Sequence, residues 1–258
     1  MNQISDINTY TSRMSKSCDD KLFFMNKISD VKNIVDFGCA DGTLIREMNK
    51  VMPNVRYIGY DNNPEMISIA QTKSAGISNI SFTDTFPSNV YGKSSLLNLS
   101  SVIHEIYSYC NEDEIYEFWN NVFLSEFEYI SIRDLCVSKN VNRRTDMADY
   151  LKLIEKVDNK QIKEFQLIWG LLMDNRNFLH FLMKYKYVEN WDREVKENYF
   201  PITLEELLKK IPSDYEIVYI NTYCLPYTKS MIEKDFGISI KDNTHVKLLL
   251  RKRINYEK

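Results

Sequence analysis

Short runs of β-branched and aliphatic residues alternate with amphipathic segments through the first half of the chain. The runs predict strands over 33–37, 56–60, 79–82, 95–99 and 129–133. Predicted helices follow Gly42, Pro64 and Asn111, because proline and acidic residues suit a first helical turn. The segment from Asp84 to Lys93 holds proline and glycine and is too short for a good helix. Strands that alternate with helices in this way are typical of a parallel sheet with crossover helices.

The alternation stops after the fifth predicted strand. Residues 141–200 form consecutive helical segments that are rich in Phe, Tyr and Trp. A regular pattern returns at Thr203, which forms a capping box with Glu206. Two β-rich runs follow, over 215–223 and 245–251, and we expect them to pair antiparallel at an edge of the sheet.

These changes of pattern divide the chain into four parts. We expect a helical N-terminal cap over 1–30, a core over 31–140, a helical insertion over 141–200, and a C-terminal helix with two strands over 201–258 that complete the core sheet. The length of 258 residues fits one α/β domain with an insertion better than two independent domains.

The composition is that of a folded chain with reduced cysteines. Hydrophobic residues make up 44% and charged residues 27%, and the net charge is -3 with scattered basic residues, which disfavours nucleic acid as a partner without excluding it. The five cysteines lie far apart without a C-x-x-C pair, so we expect neither a zinc site nor a disulfide framework. The first residues are polar and no apolar run is long enough to cross a bilayer. The sequence therefore predicts a cytoplasmic protein without a membrane segment.

The most informative segment is Val-Asp-Phe-Gly-Cys-Ala-Asp-Gly-Thr over 35–43, which places an acid before a small-residue turn between a strand and a helix. Gly38 and Gly42 let the backbone turn tightly and approach a ligand closely. Asp61 ends the next predicted strand, where a carboxylate can meet the hydroxyls of a ribose. Asp36, the turn and Asp61 together predict a site for a nucleoside-like ligand.

This segment resembles the first motif of the class I S-adenosylmethionine-dependent methyltransferases. Asp36 and Gly38 fall on the family's acid and first glycine, Ala40 stands where a second glycine is common, and Gly42 falls on the third. The resemblance implies that this loop, with Cys39, holds the methionine part of S-adenosylmethionine. It also implies a Rossmann-like, doubly wound α/β fold with a seven-stranded sheet, mostly parallel with an antiparallel C-terminal strand, plus the helical insertion.

The segment Tyr-Ile-Gly-Tyr-Asp-Asn-Asn-Pro-Glu-Met over 57–66 resembles the family's second motif. The resemblance places Asp61 on the ribose and Asn62 and Met66 beside the adenosine. It assigns Asp84, after the third strand, to the adenine amine, and Ser100, after the fourth, to the cofactor side.

A nicotinamide-binding dehydrogenase is the nearest structural rival. That class needs G-x-G-x-x-G so that a pyrophosphate can rest on the helix N-terminus. The loop here has Gly-x-Ala-x-Gly and contains Asp41, whose charge would repel a diphosphate.

The acceptor-side candidates follow the fourth and fifth strands. His104 comes just after the fourth strand, and two roles are open for it: a base that takes a proton from the acceptor, or a packing residue. Tyr107 and Arg133 are candidate substrate residues on the same side. Arg13, with Lys16, precedes the first core helix, and each cation either holds a carboxylate or makes a local ion pair.

Several enzyme classes lack their signatures in this sequence. His104 and Glu105 begin an H-E-x-x-H pattern, but position 108 is serine, and no G-x-S-x-G occurs. The motif of base-amine methyltransferases is absent after the fourth strand, and serine replaces the aspartate of ribose 2'-O enzymes. We therefore expect no metal site, and both methylation of exocyclic base amines and methylation of ribose 2'-hydroxyls are disfavoured.

The sequence predicts a methyltransferase that acts on an O or N atom of a small or medium-sized organic acceptor. A tRNA or protein methyltransferase and a non-catalytic S-adenosylmethionine-binding subunit are the alternatives. The aromatic insertion is either a lid over an apolar acceptor pocket or a contact within a homodimer.

Overall fold

A seven-stranded mixed sheet forms the centre of the computed structural model, which describes residues 18–86 and 91–253. Its strands are β1 Asn33–Phe37, β2 Arg56–Tyr60, β3 Ile80–Thr83, β4 Ser95–Ser100, β5 Tyr129–Leu135, β6 Tyr215–Tyr223 and β7 His245–Lys252. The helices around the first five strands are α1 Cys18–Lys21, α2 Thr43–Val51, α3 Pro64–Lys73, α4 Ile103–Tyr109 and α5 Glu112–Leu124. The later helices are α6 Met147–Lys156, α7 Asn159–Trp169, α8 Asn175–Lys184, α9 Trp191–Glu194, α10 Leu204–Lys209 and α11 Pro226–Phe236.

The strand order is β3-β2-β1-β4-β5-β7-β6, in agreement with the predicted fold class. Strands β1 to β5 are parallel, and β7 pairs antiparallel with both β5 and β6. All six residues of β4 are buried, as expected for a strand that is covered by helices on both faces. The strand order reverses between β1 and β4, and the carboxyl ends of strands at such a point form the usual ligand crevice of an open α/β sheet.

Strands β6 and β7 pair as expected but are not joined by a tight turn. They are connected through α11, which our interpretation of the sequence missed. The signals for this helix are present, because Pro226 occupies its first turn and Gly237 ends it in a left-handed conformation at φ 68°. The helix was missed because the two β-rich runs on either side of it suggested a directly connected pair of strands.

Helices α6 to α9 lie between β5 and β6 in the chain and have their own apolar cluster. Leu153, Phe165, Phe181 and Phe200 are at most 1% exposed in it, and Ile232 of α11 is fully buried against them. Trp169, Tyr185 and Trp191 pack partly buried against the same cluster. The aromatic residues of the insertion therefore form a second core rather than an open apolar surface.

In the described residues, no helix combines the length and the apolar character that a membrane span requires.

Candidate functional site

The loop 38–42 between β1 and α2 turns through three residues with left-handed backbone conformations. Gly38 has φ 74°, Ala40 46° and Gly42 72°. A Cβ on Gly38 would lie 3.0 Å from Val102, and one on Gly42 would lie 2.6 Å from the ring of Phe82. Both positions therefore require glycine, because of the backbone conformation and because of the space.

Asp61 fixes this loop from the end of β2. One carboxylate oxygen accepts a hydrogen bond from the Ala40 amide at 2.9 Å, and the other accepts one from the Asn63 amide at 2.9 Å. Burial raises the pKa of Asp61, although these two amide hydrogen bonds act in the opposite direction. A carboxylate accepts about four hydrogen bonds, so Asp61 keeps capacity for two further donors such as the hydroxyls of a ribose.

Asp36 and Asn98 form a buried polar pair across neighbouring strands. The two residues are in register between β1 and β4, and the Asn98 amide donates to the Asp36 carboxylate at 2.7 Å. Burial raises the pKa of Asp36 to about 6, and the hydrogen bond from Asn98 and the charge of Lys21 oppose this shift. The Asn98 carbonyl oxygen and the Ser100 hydroxyl are buried without a hydrogen-bond partner among the described residues. Buried polar atoms of this kind are typical of a site that receives a polar ligand.

The other predicted cofactor residues lie around the same strand ends in different surroundings. Cys39 is 2% and Met66 5% exposed, whereas Asn62 and Asp84 are exposed, and Asp84 accepts a hydrogen bond from Thr85. Asp41 forms an ion pair with Lys73 at 2.7 Å. Lys73 balances the charge of Asp41. The glycine pattern of the loop therefore disfavours a diphosphate more than the charge of Asp41 does.

His104 lies in the first turn of α4 and is held by Asp134 of β5. The His104 Nδ1 atom is 2.6 Å from one Asp134 oxygen, and the other oxygen accepts hydrogen bonds from the amides of Val102 and Ile103 at 2.8 and 2.7 Å. Burial alone would lower the pKa of His104, but the charge and the hydrogen bond of Asp134 outweigh it and raise the pKa to about 9. The pair fixes the orientation of the imidazole through its Nδ1 atom.

The end of the insertion docks on α4 next to His104. The Tyr199 ring meets the His104 ring edge-on, with 5.7 Å between centroids, and the Asn198 amide donates to the Ser108 hydroxyl at 2.7 Å. Arg193 bridges Glu105 of α4 at 3.2 Å and Glu197 at 2.8 Å. These contacts close one side of the space around His104.

The remaining predicted acceptor residues are engaged elsewhere. The Tyr107 hydroxyl accepts a hydrogen bond from the Trp119 indole at 3.1 Å. Arg133 is 5% exposed and is paired with Asp20 of α1 at 2.7 Å. Arg13 and Lys16 lie outside the described residues.

Two polar residues of this region, Asp20 and Asn98, were not among the predicted site residues. Asn98 had a usable signal, because it is a polar residue between the leucines of a buried strand and therefore needs a buried partner. Asp134 follows Arg133 at the end of β5, but its pairing with His104 depends on the register of β4 and β5. Asp20 gave no signal in the sequence.

Comparisons with known proteins agree with this fold. Residues 28–85 match a family model described as a methyltransferase domain. The solved structure of the methyltransferase domain of bacterial CtHen1-C is similar over 93% of this chain and 99% of that one, with a TM-score of 0.52 and 11% identity. The MccD protein is similar over 92% and 96%, with a TM-score of 0.51 and 11% identity. The plantazolicin methyltransferase BpumL, solved with S-adenosylhomocysteine, is similar over 96% and 87%, with a TM-score of 0.50 and 14% identity. No curated protein matches the chain.

Proposed function

We propose that this chain is a class I S-adenosylmethionine-dependent methyltransferase that moves the methyl group of that cofactor to an O or N atom of a small or medium-sized organic acceptor. The part of this proposal that concerns the acceptor rests on the buried His104–Asp134 pair at the carboxyl ends of β4 and β5. Cofactor binding rests on the loop 38–42 and on Asp61.

The residues at the strand ends fit the cofactor. The left-handed loop 38–42 turns the backbone at the strand ends, and Asp61 has acceptor capacity for two ribose hydroxyls. In this proposal the unpartnered side-chain oxygens of Asn98 and Ser100 meet polar groups of the methionine part. Met66 supplies apolar surface beside the adenosine, with Asn62 at its exposed side.

The protein's own groups align the acceptor and receive its proton. Bound S-adenosylmethionine supplies an electrophilic methyl group on a sulfonium centre. His104 would take the proton of an acceptor O–H or N–H at its second ring nitrogen while that oxygen or nitrogen bonds to the methyl carbon, whose bond to sulfur breaks with the electron pair left on sulfur. Asp134 stabilises the resulting imidazolium and keeps the ring in one orientation. Because the pKa of His104 is about 9, this role requires the fraction of His104 that is neutral, which increases with pH.

The helical insertion acts in this proposal as a lid over the acceptor. Its residues from Arg193 to Tyr199 contact α4 around His104, so movement of the insertion would open or close the space beside the imidazole. A lid excludes water from the reacting atoms and keeps the acceptor bound until it has reacted. A contact within a homodimer is the competing role for this segment.

Two alternatives are distinguished by simple observations. A tRNA or protein methyltransferase would use the insertion as a recognition surface. Nucleic acid would copurify with a tRNA methyltransferase. A non-catalytic subunit would bind S-adenosylmethionine without turnover, but the His104–Asp134 pair favours an enzyme because cofactor binding alone has no use for a base.

Calorimetry with S-adenosylhomocysteine tests the cofactor site. Asp61→Ala should weaken binding more than tenfold, because charge-assisted hydrogen bonds are worth roughly 1.5–3 kcal/mol. Glu65→Ala is the matched control, since it removes an exposed acid of α3 and should leave the affinity unchanged. Unchanged affinity in Asp61→Ala would remove this site assignment.

A further inference from the structure

Four hydrogen-bond donors converge on the carboxylate of Asp20. Arg133 of β5 approaches one carboxylate oxygen with Nε at 2.8 Å and with a terminal nitrogen at 2.7 Å. The Tyr223 hydroxyl of β6 donates to the same oxygen at 2.5 Å, and the Lys247 ammonium of β7 lies 2.6 Å from the other. We call Arg133, Tyr223 and Lys247 the carboxylate cradle.

The cradle is built on the sheet, whereas the carboxylate comes from outside it. Its three residues belong to three adjacent strands, and Arg133 and Lys247 are directly opposite each other in the register of β5 and β7. Asp20 belongs to α1, a helix of four residues. The three donor residues are therefore fixed by strand pairing, whereas the Asp20 carboxylate is supplied by a helix outside the sheet.

The charges of the cradle are not balanced by Asp20. Two cations, Arg133 and Lys247, meet one carboxylate among the described residues, which leaves one positive charge in excess. Their side chains are only 6% and 16% exposed, so solvent screens this excess poorly. The neighbouring ring of His245 adds no charge, because burial and the charge of Arg133 keep its pKa well below its usual value.

The cradle adjoins the proposed acceptor site. Arg133 precedes Asp134, which holds His104, and Arg133 also donates to the Ser101 hydroxyl at 3.1 Å. Ser101 itself follows β4 in a left-handed conformation at φ 59° and leads into α4. A ligand held by Arg133 would therefore lie at the same strand ends as the proton-accepting pair.

From these observations we propose that the carboxylate cradle binds a carboxylate group of the methyl acceptor, and that Asp20 occupies this position until the acceptor displaces it. The inference rests on the proposed function and names its substrate class, organic acids. The planar guanidinium and the ammonium match a planar carboxylate with hydrogen bonds to both oxygens. Asp20 is followed in α1 by Lys21, which is buried near Asp36 on the cofactor side.

Binding of benzoate and of its neutral analogue benzamide tests the proposal without knowledge of the true acceptor. Asp20→Ala should bind benzoate at least tenfold more tightly than the unmodified protein, because the internal competitor is gone, and its affinity for benzamide should not change. Adding Lys247→Met should abolish the gain. Adding Lys252→Met, which removes a cation from the other end of β7, should preserve it.

Two results would contradict the proposal. Equal binding of benzoate and benzamide by Asp20→Ala, or equal effects of Lys247→Met and Lys252→Met, would overturn the proposal and leave Asp20 as a structural ion pair. If Asp20→Ala does not fold, Asp20→Asn provides the same comparison with the side-chain volume retained. Affinity for S-adenosylhomocysteine, measured on the same samples, reports separately on the proposed function.

Discussion

The two sides of the strand-end crevice are assembled in different ways. On the cofactor side, the hydrogen bond that fixes the loop joins Ala40 to Asp61, 21 positions away. On the acceptor side, the hydrogen bond between Tyr109 and Glu197 spans 88 positions, and that between Tyr223 and Asp20 spans 203. The bond that fixes the cofactor loop lies within one strand–helix–strand unit and can be detected as a motif, whereas the Asp36–Asn98 pair, which spans 62 positions, and the acceptor-side contacts depend on the complete fold.

This difference matches the chemistry that each side must perform. The cofactor is common to the whole enzyme class, so one local motif can serve every member. Acceptors differ between members of a fold, and their specificity lies in residues that the fold brings together. Three variants test whether the two sides can be separated in this chain.

His104→Ala should have the largest effect and should act on the acceptor side alone. Loss of a general base lowers turnover by about a hundredfold to ten thousandfold, while affinity for S-adenosylhomocysteine stays unchanged. Steady-state kinetics and calorimetry on the same protein check both parts. Tyr107→Phe is the control, because the Tyr107 hydroxyl only accepts a hydrogen bond from Trp119. A His104→Ala protein that is less stable but fully active per folded molecule would show that His104 is structural.

Asp134→Asn should lower the pKa of His104 from about 9 toward the ordinary value of roughly 6.5. In the unmodified protein, activity should rise with pH up to about 9, as His104 loses its proton. The stabilising effect of the charged pair should be complete below about pH 6.5 and should disappear as the pH rises through the pKa of folded His104. Titration of the His104 ring protons by NMR measures the shift, and Glu105→Gln is the control that should produce a smaller one. An unchanged His104 pKa in Asp134→Asn would contradict the pairing.

The smallest expected effect concerns the insertion. If it is a lid, hydrogen exchange between Phe165 and Trp191 should slow when cofactor and acceptor are bound. Arg193→Met should speed this exchange severalfold in the unliganded protein, because Arg193 joins Glu105 of α4 to Glu197. Arg143→Met is the matched control, since it breaks an ion pair between the start of the insertion and Asp242, which lies just before β7. Equal hydrogen exchange with and without ligands would instead show that the insertion is a structural element or a dimer contact.

The sequence predicted the sheet well because strand and helix periods are local properties. Strands β1 and β2 begin and end where their apolar runs do, and the loop between β1 and α2 shows its glycines directly. The partners of His104 and Arg133 could not be found in this way, because they depend on strand register and on the position of α1. Helix α11 was missed although Pro226 and Gly237 mark its ends, since a paired β-rich pattern on both sides suggested a single hairpin.

The position of β7 also affects the order in which the molecule can be assembled. This strand lies between β5 and β6, and its pairing of His245 with Leu135 closes a long loop of chain. Contacts between such distant residues form late in folding, because the entropy of loop closure must be overcome first. We therefore expect a nascent chain to complete its cofactor loop well before the strand that carries Lys247 is in place, so that the ability to bind the cofactor arises earlier than the ability to select an acceptor.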